Sequence, residues 1–90
     1  MGLAKREVKV KNSMGLHTRP AASIVKMLQS AKCSVSFQYK KMSVDAKSIL
    51  SILMLAAKKN AKITILADGE DADPVMEQLV EAFANQFGEK

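Results

Sequence analysis

The stretch Gly15-Leu16-His17-Thr18-Arg19-Pro20 contains the only histidine in a chain of 90 residues. Imidazole has an ordinary pKa of about 6.5, so much of it is neutral at physiological pH. Its free ring nitrogen can then attack phosphorus and form a covalent phospho-imidazole. Arg19 brings a permanent positive charge on a planar fork that fits phosphate oxygens. Pro20, with its fixed φ and no N–H, suits the first turn of a helix. A helix is therefore predicted to begin between Thr18 and Pro20, with the free N–H groups of its first turn directed back towards His17. Such a start attracts anions, because unpaired donors and the positive end of the dipole coincide there. Gly15 lets the backbone turn sharply just before the imidazole. Positioning and charge neutralisation are most of what phosphoryl transfer asks of a protein. Residue types alone leave two readings open, a phosphoryl-accepting histidine and a plain surface or capping histidine.

The elements that must position this stretch follow from periodicity. Residues 5–11 alternate, with Val8 and Val10 on one face, and predict a strand; residues 12–16 form the loop that carries His17 at its end. Ala21, Ile24, Val25 and Leu28 recur at helical spacing from Thr18 to about Gln29, which leaves Lys26 on the exposed face. Cys33, Val35, Phe37 and Tyr39 alternate with polar residues as a second strand, and Met42–Asp45 makes a short third one across Lys40-Lys41. Lys62–Ala67 is a fourth strand, turned by Asp68-Gly69. Asp73-Pro74 reads as the N-cap and first position of a last helix, whose apolar stripe is Val75, Met76, Leu79, Val80, Phe83 and Phe87.

Between the third and fourth strands, Ser48 is placed to cap a short helix from Ile49 to about Met54. That helix is apolar almost all round, yet a two-layer domain gives it one face to bury. Some of Ile49, Leu50, Ile52, Leu53, Met54 and Leu55 are therefore expected at the surface, where an apolar patch marks a partner site. The order β-α-β-β-α-β-α argues for an α+β fold with one antiparallel sheet and helices on one face.

Composition narrows the class. The length suits one domain spanning residues 1–90, and 48% apolar with 26% charged residues is ordinary for a globular protein. Fourteen Lys and Arg against nine Asp and Glu give a formal charge of +5, but the lysines are scattered and no aromatic platform accompanies them. A solvated face, or steering of acidic protein partners, explains this charge better than nucleic-acid binding does. One cysteine forms no internal disulfide, and Cys33 reads as a small buried hydrophobe. The residues after Met1 show no signal-peptide pattern, and Ile49–Ala57 is too short to span a bilayer, so no membrane insertion and a cytoplasmic location are expected. One His, one Cys and no spaced carboxylate cluster point to no metal, and no cofactor is expected.

The octapeptide Gly15-Leu16-His17-Thr18-Arg19-Pro20-Ala21-Ala22 is similar to the active-site signature of HPr, the histidine-phosphocarrier family of the bacterial phosphoenolpyruvate-dependent phosphotransferase system. Ala46-Lys47-Ser48-Ile49-Leu50 resembles the family's regulatory serine segment, at a matching distance downstream. The resemblance covers essentially the whole chain. It implies an open-faced β-sandwich, a four-stranded antiparallel sheet with three helices on one face. It implies a carrier rather than an enzyme: His17 would accept a phosphoryl group on Nδ1 from phosphorylated enzyme I and pass it to a histidine of an EIIA domain. Arg19 would steady the phosphate, within a loop formed by Gly15, Thr18 and Pro20. Docking would use Ile49, Leu50 and Leu53, with Lys26 at the rim. Ser48 would be the target of HPr kinase/phosphorylase in those relatives that use it, and equally reads as a simple N-cap. A monomer is the expectation for a carrier that visits two partners. Thr18 leans towards the sugar-transport branch, whereas Leu53-Met54-Leu55-Ala56-Ala57 and the Phe83 to Phe87 ending resemble the nitrogen-type branch. An interaction module that uses His17 only as a contact, and a small hydrolase, are the alternatives from other classes. The hydrolase lacks a second convergent acid or base.

Overall fold

The computed structural model describes residues 2–89 and contains four strands, β1 (Leu3–Lys9), β2 (Ser34–Tyr39), β3 (Met42–Asp45) and β4 (Lys62–Asp68). Three helices join them: α1 (Thr18–Leu28), α2 (Ile49–Met54) and α3 (Ala72–Ala84). The sheet is antiparallel throughout, in the order β1-β4-β2-β3. Alternation along each strand sends Val8, Val35, Phe37, Ile63, Ile65 and Ala67 into the core. Glu7, Ser34, Lys62 and Asp68 lie on the opposite, solvent-facing side. All three helices cover the apolar face, which makes this the open-faced α+β sandwich expected.

The core is aliphatic with a small aromatic centre. Ile24 and Leu28 of α1, Ile52 of α2, and Met76, Leu79 and Phe83 of α3 meet the sheet residues. Phe37 and Phe83 pack edge to face with centroids 5.8 Å apart, a geometry that the ring quadrupoles favour. Cys33 is buried at the entry to β2, as a small hydrophobe should be, and burial pushes its thiol pKa up.

Several boundaries differ from the sequence reading. β1 ends at Lys9, although Val10 continues into the core and donates its N–H to Ala61 O at 2.8 Å. The last helix starts at Ala72 with Asp71 before it, so Asp73 is not the N-cap and Pro74 is the third helical residue. Pro is tolerated there because the first-turn N–H groups have no helical partner. Phe87 lies beyond α3, in a turn at Gln86–Gly88, yet still packs edge to face on Phe83 at 4.9 Å. Lys40-Lys41 is a true two-residue hairpin link, in which Lys40 takes a φ of 56°. Ala56, just past α2, also sits in the left-handed region with a φ of 52°, where a helix normally ends on glycine. Alanine there is strained by roughly 1–2 kcal/mol.

Asp71 is the N-cap residue of α3, but its side chain makes no cap hydrogen bond and instead joins two distant segments. Its Oδ2 accepts from Lys32 N–H and its Oδ1 from Cys33 N–H, both at 2.8 Å, fixing the start of β2 to the start of α3. The turn before it presses Gly69 against Cys33, where an added Cβ would lie 2.7 Å from the Cys33 Cα. Asp71 is held below the ordinary carboxylate value of 3.8, chiefly by the Lys32 N–H and further by Cys33. A depressed folded-state pKa contributes stability above the unfolded value that is lost as pH falls through the folded one. Denaturant midpoints measured from neutral pH down to below 3.8 should therefore fall with acid, and Asp71→Asn should be less stable at neutral pH with a flatter acid limb. An unchanged acid limb in that variant would assign the clamp no electrostatic role.

Candidate functional site

The site begins with a close approach. Gly15 takes a φ of 71° and packs so tightly that an added Cβ would lie 2.3 Å from Ala57 O. No side chain fits there, and the left-handed φ itself favours glycine. The next residue, Leu16, is buried and donates its N–H to Ala57 O at 2.9 Å. These contacts fix the loop against the segment that follows α2 and leave His17 as the N-cap residue of α1.

His17 is extended, with φ −85° and ψ −166°, and its carbonyl accepts the first helical bond from Ala21 N–H at 3.1 Å. Its side chain makes no cap hydrogen bond to the helix it opens. Pro20, which brings no N–H, is buried, while Thr18 and Arg19 face solvent. His17 and Arg19 line one shallow concavity with Ser13, Met14, Gly88 and Glu89. The imidazole is 28% exposed, enough for another protein to reach it.

Sequence reading missed two members of the site. Nε2 of His17 lies 3.1 Å from Oε1 and 3.0 Å from Oε2 of Glu89. Oε1 of the same carboxylate accepts from Asn12 Nδ2 at 2.6 Å. Asn12 is buried, and Nδ2 also donates to Gln86 O at 2.9 Å. Glu89 is held below its ordinary value of 4.5, first by the Asn12 amide, then by His17 and Arg19, against an opposing effect of burial. Neither Asn12, one polar residue in a loop, nor Glu89 carried a sequence signal of this role.

The docking candidates separate by exposure. Leu50 is 75% exposed and Ile49 36%, while Ile52 is fully buried and Leu53 is half-buried against the core. Met54, at 67%, is another member of that apolar helix left exposed, and Met14, at 74%, extends the exposed apolar set and went unremarked in the sequence. Lys26 is exposed on α1. Ser48 caps α2 as expected, its Oγ accepting from Ser51 N–H at 3.2 Å. Lys47 Nζ donates to Ala31 O at 3.1 Å, tying the entrance of α2 to the chain just past α1. Among the described residues, no group of three His, Cys, Asp or Glu is gathered as a metal site would need, and no helix is long and apolar enough to cross a membrane.

Comparison with known proteins agrees with this geometry. Residues 4–85 match the family described as PTS HPr component phosphorylation site. The phosphocarrier protein HPr of Chlamydia muridarum is 42% identical over 80 residues, covering 89% of this chain and 77% of that protein. HPr of Xylella fastidiosa is 34% identical over 87 residues, covering 97% and 98%. Among solved structures, HPr-C-His from Thermoanaerobacter tengcongensis superposes with a TM-score of 0.92 at 29% identity, over 97% of this chain and 98% of that one. With the signature histidine at a helix start, the open-faced sandwich around it and these matches along nearly its whole length, the chain belongs to the HPr family of phosphocarrier proteins.

Proposed function

We propose that His17 is the phosphoryl carrier: Nδ1 accepts the group from phosphorylated enzyme I and passes it on to a histidine of an EIIA domain. The observation that carries this reading is the placement of a partly exposed imidazole and the Arg19 guanidinium in one concavity at the start of α1. The helix start and Arg19 offset the charge of the travelling group in both directions. Reversibility needs a moderate grip, and a single Arg with a solvent-open helix end supplies that without trapping the intermediate. Incubation with enzyme I, magnesium and phosphoenolpyruvate should add one acid-labile phosphoryl mass, absent in His17→Ala. No gain with an active enzyme I would reject the carrier role.

Partner docking is assigned to the exposed apolar surface of α2 beside the site, Ile49, Leu50 and the accessible edge of Leu53, with Thr18 and Lys26 around it; Pro20, expected there from the sequence, is fully buried and lies outside it. Central apolar contacts of this kind each carry a large share of binding, so Leu50→Asp should slow transfer from enzyme I by about tenfold. Leu50 makes little core contact, so circular dichroism and melting should be unchanged. A wild-type transfer rate would remove α2 from the interface.

Ser48 is assigned a second, regulatory phosphorylation, rested on its resemblance to the family's serine segment. A dianion beside Ile49 and Leu50 would repel a partner seated on them. ATP with HPr kinase/phosphorylase should add one phosphoryl mass that Ser48→Ala lacks; its absence would leave Ser48 as a helix cap only.

A further inference from the structure

Glu89 lies 72 residues beyond His17 in the chain, and three features hold it there. Asn12 is 1% exposed and gives its amide nitrogen to both Gln86 O and Glu89 Oε1. Both neighbours are acceptors, so chemistry fixes the orientation of that amide. The arrangement has a cost, since Asn12 Oδ1 is buried without a hydrogen-bond partner among the described residues. The backbone then passes through three successive left-handed residues, Gln86 at φ 56°, Phe87 at 54° and Gly88 at 80°. Non-glycine residues adopt that region only where surrounding contacts impose it. Phe87, anchored edge-on to buried Phe83, is such a contact.

We propose that Glu89 is a positioning residue for His17, holding the ring proton on Nε2 and leaving the Nδ1 lone pair as the nucleophile. This rests on the carrier reading above and names a residue that reading did not need. A neutral imidazole has one N–H and one lone pair, and the partner of one nitrogen decides which is which. With the carboxylate on Nε2, the proton stays there. Nδ1 attacks phosphorus, the Nδ1–P bond forms, and the donor's N–P bond breaks with its electron pair returning to the donor ring. The Nε2 proton never leaves, so the product ring is a phospho-imidazolium paired with the Glu89 anion. On the return step this ring departs as neutral imidazole, a far better leaving group than the imidazolide left by a ring lacking that proton. Glu89 thereby keeps the phosphoryl group transferable. The lowered pKa of its carboxyl keeps it anionic at neutral pH, consistent with this pairing.

The test combines nitrogen-15 and proton spectra of the unphosphorylated His17 ring with single-turnover acceptance from phosphorylated enzyme I. Glu89→Ala should lose the hydrogen-bonded Nε2–H signal and slow acceptance about tenfold. Glu89→Gln, whose amide oxygen still accepts from Nε2–H, should keep that signal and recover part of the rate, a pattern that loss of packing would not produce. A Glu89→Ala ring spectrum and rate equal to wild type would overturn the proposal. Faster acceptance would also overturn it, making Glu89 a competitor of the incoming phosphate. Wild-type protein that takes up no phosphoryl group would reject the carrier reading and this role together. Phosphorylated wild type with an indifferent Glu89→Ala would reject only the role of Glu89.

Discussion

The contact between the Gly15–Leu16 backbone and Ala57 is the constraint on which the functional end of the molecule depends. It admits no Cβ at residue 15 and takes the Leu16 N–H into a bond with Ala57 O. One consequence is angular: α1 must start where the loop leaves that contact, so His17 becomes its cap. The other is spatial. Ala57 closes the segment after α2, so the same contact ties the loop that carries His17 to the end of that helix.

The chemistry that this arrangement supports is economical in groups. A helix start, one guanidinium and one carboxylate surround the ring, each on a different kind of support. The helix start comes from local sequence, the guanidinium from the helix it opens, and the carboxylate from the far end of the chain. Opposite charges flank the ring, and in the proposed carrier the charge of a travelling group would be met by these fixed partners rather than by rearranged solvent.

Most of the fold was legible because each strand alternates and each helix carries its apolar stripe, so periodicity alone placed all seven elements in order. His17, Arg19 and Pro20 were legible because a lone histidine before an Arg-Pro pair is chemically conspicuous. Ser48 as a cap and the partial exposure of α2 followed from residue type and from counting available faces. What escaped was non-local. The clamp made by Asp71 has no local signature, because its partners, Lys32 and Cys33, are nearly forty positions away. Phe87 kept helical spacing with Phe83, but the chain leaves the helix before it and restores the contact through a left-handed turn. Asn12 and Glu89 reach the site through tertiary placement, which no period or motif encodes.

The strand order β1-β4-β2-β3 also bears on how the molecule comes into being. β4 is the central partner of both β1 and β2, pairing Val8 with Ile63 and Phe37 with Ile65, yet it is the last strand in the chain. A polypeptide emerging from its N-terminus exposes β1, the β2–β3 hairpin and the helix start bearing His17 well before their common partner exists. Sheet closure is therefore a late, long-range event with the slow loop-closure entropy that goes with it. During synthesis the histidine is present on an unassembled chain well before Glu89, its carboxylate neighbour 72 positions later, has been added.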